Sequence, residues 1–191
     1  MNQKNLLDVD WSKIPAPEDD GAAAHLVGMT IPPVSLVATD DTAVTLSALA
    51  GRIVVFAYPR TGEPGKISLV DDWDMIPGAR GCTPQTCAFR DLFSDLKAAG
   101  AMHVFGLSSQ SNVYQTEMAS RLHLPFPVLS DEKLALAGAL NLPTMEVAGL
   151  TLIKRLALIV DDGRISHVFY PVFPPDRNAG DVLAWLKQNP V

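Results

Sequence analysis

The two cysteines of the chain, Cys82 and Cys87, are the residues whose type and spacing point most directly to chemistry. They lie where a helix is predicted to begin, because Thr83 is a favoured N-cap and Pro84 suits the first helical position. Unpaired amides and the positive end of the helix dipole would stabilise a thiolate at Cys82, and Arg80 adds a positive charge nearby. Since the thiolate is the reactive form of cysteine, we expect Cys82 to be the better nucleophile of the two.

The spacing of the cysteines also constrains a disulfide between them. On an α-helix, five residues correspond to roughly 140° of rotation and about 7.5 Å of rise, whereas a disulfide needs Cα atoms within about 6.8 Å of each other. Joining Cys82 to Cys87 must therefore unwind the first helical turn, which predicts a redox-driven change in order. Two buried, inert cysteines are the alternative interpretation, because C-x4-C matches neither a zinc-ligand spacing nor the C-x-x-C redox motif.

Length, composition and charge are those of one globular domain. A chain of 191 residues that is 48% hydrophobic and 19% charged can bury a full core. The net charge of −6 and the lack of a basic cluster argue against nucleic acid and anionic membranes as partners. No apolar run reaches the about 20 residues that a membrane span needs, and the N-terminus carries no apolar signal core. We therefore expect a cytoplasmic protein, in which a cysteine pair is more often catalytic or sensing than structural.

Strand and helix signals alternate along the chain. Residues 1–25 lack periodicity and are acidic and proline-rich, which predicts a loose N-terminal arm ahead of a domain at 26–191. Trp11 is the residue expected to anchor the arm, either on this domain or on a second copy of the chain. The continuous apolar run at 53–58 predicts a buried central strand, and 102–107 a second one. The other predicted elements are strands at 34–37, 42–44 and 126–129, a hairpin at 156–160 and 165–170, and helices from 83 to a stop at Gly100 and at 112–122, 132–140 and 179–187. The alternation indicates an α/β fold with a mixed central sheet flanked by helices.

Four motifs in register resemble the peroxiredoxins, and among them the peroxiredoxin Q (bacterioferritin-comigratory) group. They are Val54-Val55-Phe56-Ala57-Tyr58-Pro59, Gly81-Cys82-Thr83 with Cys87-Ala88-Phe89-Arg90-Asp91, Leu124-Pro125-Phe126-Pro127-Val128-Leu129-Ser130-Asp131, and Arg155 six residues before Asp161-Asp162-Gly163. The resemblance covers roughly residues 26–188. It implies a thioredoxin-like fold and an enzyme that reduces hydrogen peroxide or alkyl hydroperoxides.

The resemblance also implies roles for individual residues. Cys82 matches the peroxidatic cysteine, Cys87 the resolving cysteine, and Arg155 the arginine that holds the thiolate and polarises the peroxide. In such a mechanism a sulfenic acid condenses with the second thiol, and thioredoxin or a similar dithiol protein resets the disulfide by exchange. No metal or organic cofactor is required. The alternative for Arg155 is a surface arginine beside Lys154 at the start of a strand.

One motif departs from the family pattern P-x-x-x-T-x-x-C, whose threonine hydrogen-bonds the thiolate and the peroxide. Here Thr61 is separated from Cys82 by residues 62–80, an insertion of 19 residues, and Ala79 occupies the position three before the cysteine. We expect the insertion to loop out and return Thr61 to the site. The alternatives are a substitute hydroxyl such as that of Thr83, or a weakened peroxide site.

The insertion and the remaining residues leave further alternatives open. Connections this long are uncommon and tend to be functional, and Trp73 lies among acidic residues, so we expect the segment to cover the site or to form a contact surface.

The four histidines share no ligand spacing, which argues against a metal site. A general thiol–disulfide oxidoreductase and a redox sensor or binding module remain rival functions. The group is often monomeric, and the apolar insertion leaves a homodimer open.

Overall fold

The secondary structure comprises nine strands and five α-helices in residues 9–191, the part of the chain that the computed structural model describes. The strands are β1 (Ser35–Ala38), β2 (Ala43–Thr45), β3 (Arg52–Ala57), β4 (His103–Ser108), β5 (Val128–Ser130), β6 (Thr144–Val147), β7 (Leu150–Ile153), β8 (Leu156–Asp161) and β9 (Arg164–Phe169). The helices are α1 (Cys82–Asp91), α2 (Phe93–Ala98), α3 (Asn112–Arg121), α4 (Ala135–Leu140) and α5 (Asn178–Gln188). Among these helices, none is long and apolar enough to cross a membrane.

Seven of the strands form one mixed sheet in the order β2-β1-β5-β4-β3-β8-β9. Strands β3, β4 and β5 run parallel, while β8 and β9 on one side and β1 and β2 on the other are added antiparallel. Strands β6 and β7 form a separate antiparallel hairpin. The predicted α/β fold with a mixed central sheet flanked by helices is thereby confirmed.

Strand β3 lies in the interior of the sheet, between β4 and β8, and is buried on both faces. Its side chains alternate between two apolar clusters: Ile53, Val55 and Ala57 belong to one, and Val54 and Phe56 belong to the other, which contains both cysteines. A continuous apolar run is the sequence pattern of a strand covered by helices on both sides. The run at 53–58 therefore predicts correctly a buried strand in the interior of the sheet.

The carboxyl ends of β3 and β4 and the amino end of β8 meet at one edge of the sheet. Ala57 pairs with Leu107 of β4 in parallel register and with Leu156 of β8 in antiparallel register. Arg155, one residue before β8, therefore lies next to the connection that leaves β3 at Tyr58. This register explains why Arg155, although distant in the sequence, lies at the carboxyl ends of β3 and β4, where the connecting loops meet.

Three local expectations need correction. The single helix expected from Thr83 to Gly100 is two helices, because the backbone leaves helical geometry at Leu92 (φ −97°, ψ 7°). The cap of α1 is Gly81 and not Thr83. The helix expected from residue 132 begins at Ala135, since the Asp131 carboxylate accepts backbone hydrogen bonds further along, at residues 136 and 137. The β6–β7 hairpin is not among the elements predicted from the sequence.

Residues 9–25 of the predicted arm lie along the domain of their own chain. The Trp11 indole N–H donates to Asp176 Oδ2 at 3.0 Å, and its ring packs edge-on against Phe173. Further along, Asp20 accepts from Lys154 Nζ at 2.7 Å and from the Tyr170 hydroxyl at 2.8 Å. Trp11 is thus an anchoring contact of the arm. Residues 1–8 lie outside the described part, and the division of the chain at residue 26 stays a prediction.

Candidate active site

Cys82 is the first residue of α1 and its side chain is buried. The turn before it depends on Gly81, whose φ of 103° disfavours any residue with a side chain. A Cβ at this glycine would also come within 2.6 Å of both Trp11 and Pro175. The cysteine therefore lies at the amino end of a ten-residue helix, where free backbone amides and the helix dipole favour negative charge. The predicted position of Cys82 at a helix start agrees with the structure.

Arg155 is the charged group that contacts the Cys82 sulfur. Its Nη2 lies 3.2 Å from Sγ, and the thiol in turn is 3.5 Å from the carbonyl oxygen of Ala79. Arg155 is 3% exposed, so the alternative interpretation of a surface arginine is wrong. A guanidinium in contact with sulfur at a helix start provides the electrostatic stabilisation that an anionic sulfur needs.

A network of buried side chains orients the guanidinium. Arg155 Nη1 donates to Gln85 Oε1, and Gln85 Nε2 donates to Asn178 Oδ1 at 2.9 Å. Both Gln85 and Asn178 are almost completely buried. Leaving either side-chain amide without a hydrogen-bond partner would therefore destabilise the protein. Neither residue is among the site residues predicted from the sequence. Gln85 stands three positions after Cys82, on the same side of a helix, and that spacing is the signal that identifies it.

A cavity of about 370 Å³ opens onto the cysteine. Cys82, Thr61 and Thr83 all line it, together with the beginning of the insertion. The lining residues are Arg60, Thr61, Gly62, Glu63, Lys66, Ile67, Ser68, Leu69, Trp73, Arg80, Gly81, Cys82, Thr83, Pro84 and Tyr114. The insertion thus loops out and back, so that the residues on either side of it share one cavity wall.

The two threonines of this wall differ in their hydrogen bonds. Thr61 is buried and its hydroxyl donates to Gln110 Oε1 at 3.1 Å, while its carbonyl accepts from the Tyr114 hydroxyl at 3.1 Å. Thr83 is also buried, and within residues 9–191 its hydroxyl has no hydrogen-bond partner. Thr61 therefore reaches the cavity with its hydroxyl already engaged, whereas the hydroxyl of Thr83 is free to bind a ligand.

Cys87 lies one and a half turns further along α1, in the apolar cluster beneath the helix. Burial raises the pKa of the Cys87 thiol above its ordinary value, against the opposing effect of the Arg90 charge. Both cysteines are free and the helix is continuous across them. Because residues five apart on a helix are too far apart for a disulfide, a continuous α1 is consistent with two free thiols.

Tyr58 is a further titratable group close to the cysteine. It is completely buried and its hydroxyl donates to Gln115 Oε1 at 3.0 Å. Burial, together with negative charge on Cys82, raises the pKa of the Tyr58 phenol well above its usual range. The phenol therefore stays protonated at neutral pH and cannot serve there as a base.

Comparison with known proteins places the chain in a family. The family model described as Redoxin matches residues 26–183. Peroxiredoxin Bcp of Escherichia coli is 30% identical over 167 residues, which cover 85% of this chain and 96% of that protein. The chloroplastic peroxiredoxin Q of Oryza sativa subsp. japonica is 32% identical over 162 residues, 84% of this chain but 66% of the rice protein. The chain thus spans about two thirds of the length of the rice relative.

Solved structures support the same family. Peroxidoxin BcpB from Mycobacterium tuberculosis superposes with a TM-score of 0.70 and 25% identity, over 86% of this chain and 98% of that one. Xanthomonas campestris peroxiredoxin Q superposes with a TM-score of 0.65 and 25% identity, over 82% and 90% of the two chains. The predicted thioredoxin-like fold and the resemblance to peroxiredoxin Q are confirmed. The chain belongs to the redoxin family and, within it, to the peroxiredoxin Q/Bcp group of thiol-dependent peroxidases.

Proposed function

We propose that this protein reduces hydrogen peroxide or alkyl hydroperoxides with Cys82 as the nucleophile. The observation that carries the proposal is the contact of 3.2 Å between Arg155 Nη2 and Cys82 Sγ, at a helix start that opens onto a cavity. The guanidinium and the amides of the first turn are donors directed at the place where a thiolate and a leaving oxygen would carry negative charge. Membership of the peroxiredoxin Q/Bcp group supports the same reaction.

In the first step the Cys82 thiolate attacks the distal oxygen of the hydroperoxide. A sulfur–oxygen bond forms and the oxygen–oxygen bond breaks, so that sulfur loses two electrons and the peroxide gains them. The cysteine becomes a sulfenic acid, and the alkoxide or hydroxide leaves as the alcohol or water after it takes a proton. Arg155 stabilises the developing charge on the leaving oxygen.

In the second step Cys87 resolves the sulfenic acid. Its thiolate attacks the oxidised sulfur of Cys82, the sulfur–oxygen bond breaks, hydroxide leaves and takes up the proton that Cys87 released to become water, and a Cys82–Cys87 disulfide forms. Because α1 is continuous through both residues, this step requires the first turn to unwind. Thioredoxin or a similar dithiol protein then reduces the disulfide by exchange, and its own two thiols become a disulfide.

The proposed roles of the threonines follow from their hydrogen bonds. Thr61 shapes the cavity wall through its bond to Gln110, so its hydroxyl oxygen can accept a hydrogen bond from a peroxide but would have to leave Gln110 in order to donate one. Thr83 presents a hydroxyl on the same wall. We therefore retain Thr61 as a site residue and add Thr83 as the hydroxyl that is ready to bind a peroxide oxygen.

We further propose a cytoplasmic location and a protein that acts as a monomer or homodimer, with a hydroperoxide and a dithiol reductant as its partners. Two free thiols in one helix suit a reducing compartment, although several relatives are named chloroplastic. The net charge of −6 supports the expectation that neither nucleic acid nor an anionic membrane is a partner.

A coupled turnover assay tests this function. Purified protein is mixed with hydrogen peroxide or an alkyl hydroperoxide, thioredoxin, thioredoxin reductase and NADPH, and NADPH consumption is followed. The unmodified protein is expected to turn over, Cys82→Ser to be inactive, and Cys87→Ser to consume one equivalent of peroxide without turnover by thioredoxin. Turnover that persists in Cys82→Ser contradicts the assignment of the nucleophile.

A redox sensor is the second candidate, and the engaged hydroxyl of Thr61 is the observation that favours it. If the Thr61 hydroxyl stays bonded to Gln110, Cys82 would be oxidised slowly. The disulfide that follows would then persist and act as a signal. Slow oxidation without turnover, together with a partner protein bound in only one redox state, would favour the sensor. A general thiol–disulfide oxidoreductase would instead exchange disulfides rapidly in the absence of peroxide.

A further inference from the structure

The inserted segment, residues 62–80, forms part of the site through the backbone at its carboxyl end. The carbonyl oxygens of Gly78, Ala79 and Arg80 lie 3.2, 3.3 and 3.0 Å from Arg155 Nη2. The same nitrogen contacts Cys82 Sγ. Backbone carbonyls move only with their chain, so the position of this end of the insertion decides where the guanidinium lies relative to the sulfur.

A small apolar cluster holds that end of the insertion in place. Trp73, Ala79, Val147 and Leu152 are buried together between the insertion and the β6–β7 hairpin. Ala79 stands three residues before Cys82, and Leu152 stands three residues before Arg155. The cluster therefore links the two segments that carry the reacting sulfur and its guanidinium partner.

Trp73 is the largest side chain of this cluster and is 8% exposed. It belongs to the short 3-10 helix Trp73–Met75 in the middle of the insertion, and it also lines the cavity over Cys82. Truncating a buried aromatic side chain leaves a void that its neighbours fill only in part. The segment at Ala79 would then lose part of the buried cluster in which it packs.

We propose, on the basis of the proposed function, that Trp73 is a positioning residue for the peroxidase reaction. It holds the carboxyl end of the insertion against the β6–β7 hairpin and so keeps Arg155 on the Cys82 sulfur. The insertion thereby helps to fix the positions of Arg155 and Cys82 through its packing and its backbone carbonyls. In the family, the uninterrupted P-x-x-x-T-x-x-C motif helps to fix the site residues. Trp73 acts through Arg155 and takes no part in the bond changes.

The first experiment measures how fast hydrogen peroxide oxidises Cys82 in the reduced protein, by acid quench and mass spectrometry. Trp73→Ala is expected to lower the second-order rate constant by about 10²-fold, the order of loss that a displacement of about 1 Å causes in a positioned site. Trp73→Phe, which retains an apolar ring, is expected to stay within about threefold of the unmodified protein. Met75→Ala is the matched control, because Met75 belongs to the same 3-10 helix but is 59% exposed, and it is expected to leave the rate unchanged.

A double-mutant cycle separates positioning from a general loss of stability. If Trp73 acts through Arg155, adding Trp73→Ala to Arg155→Ala lowers the rate no further than Arg155→Ala alone. If Trp73→Ala does not fold, Leu152→Ala removes the facing side of the same cluster and enters the same cycle. Circular dichroism at the assay temperature verifies that each variant is folded.

The outcomes distinguish this inference from the function on which it rests. Rapid oxidation of the unmodified protein with an unchanged rate in folded Trp73→Ala overturns the inference and leaves the function standing. The inference is also overturned, again without harm to the function, if Trp73→Ala lowers the rate by the same factor with and without Arg155. Oxidation of the unmodified protein no faster than that of the unfolded chain overturns the function and the inference together.

Discussion

Oxidation to the Cys82–Cys87 disulfide is expected to unwind the first turn of α1. In a regular helix, residues five apart have Cα atoms about 8.6 Å from each other, and a disulfide allows about 6.8 Å at most. The helix is regular from Cys82 to Asp91 in the reduced protein. The missing distance of about 2 Å must therefore come from rearrangement of the turn between the two cysteines.

The hydrogen bonds of this turn set the size of the expected effect. Gln85 N–H donates to the Gly81 carbonyl at 3.0 Å, and the Thr86 hydroxyl donates to the Cys82 carbonyl at 2.9 Å. The Gln85 side chain adds its bonds to Arg155 and Asn178. At about 1 kcal/mol each, losing these four bonds lowers the local stability by about 4 kcal/mol, which corresponds to roughly a 10³-fold loss of exchange protection.

Hydrogen–deuterium exchange of the reduced and the peroxide-oxidised protein measures this loss. Amides of residues 85–88 are expected to exchange about 10³-fold faster in the oxidised protein, whereas those of β4, which lies between β3 and β5 in the sheet, stay protected. Cys87→Ser is the control, since it can be oxidised but cannot form this disulfide, and its helix should stay protected. Equal protection of residues 85–88 in the reduced and the disulfide form would mean that the helix does not unwind.

Three further predictions concern the chemistry of the site. Arg155→Gln is expected to slow the oxidation of Cys82 by about 10²- to 10³-fold in a stopped-flow experiment, because it removes a charged donor from the developing anion. The pKa of Cys87 is raised by burial, so the rate of disulfide formation in a single turnover should increase by about tenfold per pH unit from pH 6 to 8. Thr83→Val is expected to lower the peroxide rate more than Thr61→Val, as judged by the same stopped-flow assay, because the Thr61 hydroxyl is engaged with a protein acceptor.

Each of these predictions has a control or a contrary result. Arg52→Gln removes another buried arginine, which pairs with Asp161 at 2.6 Å, and should reduce thermal stability without slowing the oxidation of Cys82. A rate of disulfide formation that does not change with pH would mean that unwinding, and not deprotonation of Cys87, limits that step. A larger loss in Thr61→Val than in Thr83→Val would show that the Thr61 hydroxyl leaves Gln110 when peroxide binds.

The sheet could be predicted from the sequence because its central strands carry strong local signals. The apolar run at 53–58 and the alternation at 102–107 identify β3 and β4, and a turn at 161–163 identifies the β8–β9 hairpin. The β6–β7 hairpin was missed because its strands are short and offer little apolar patterning, with Val147 as the single buried residue of β6. Its turn at Ala148 and Gly149, both with positive φ, includes an alanine, which is an unusual residue for that conformation.

The site could be predicted only where one segment carries the signal. A single stretch of sequence contains Cys82 and Cys87 with their helix start. The partnership of Arg155 with Gln85 joins residues that are 70 positions apart, and it depends on the register between β3 and β8. The Ala79 carbonyl contacts both Cys82 and Arg155. That contact depends on how the insertion packs, which neither helix and strand propensity nor hydrophobic periodicity predicts.

Whether the site activates Cys82 as a nucleophile is decided by the rate at which hydrogen peroxide oxidises Cys82 in the Cys87→Ser protein. The sulfenic acid is trapped with a 1,3-dione and located by mass spectrometry, and the rate constant is compared with that of the same protein unfolded in urea. We predict a trapped adduct on Cys82 and a rate constant larger by at least about 10²- to 10³-fold in the folded protein, as expected for an anion stabilised by oriented donors. A folded protein that reacts no faster than the unfolded one would mean that the site does not activate Cys82.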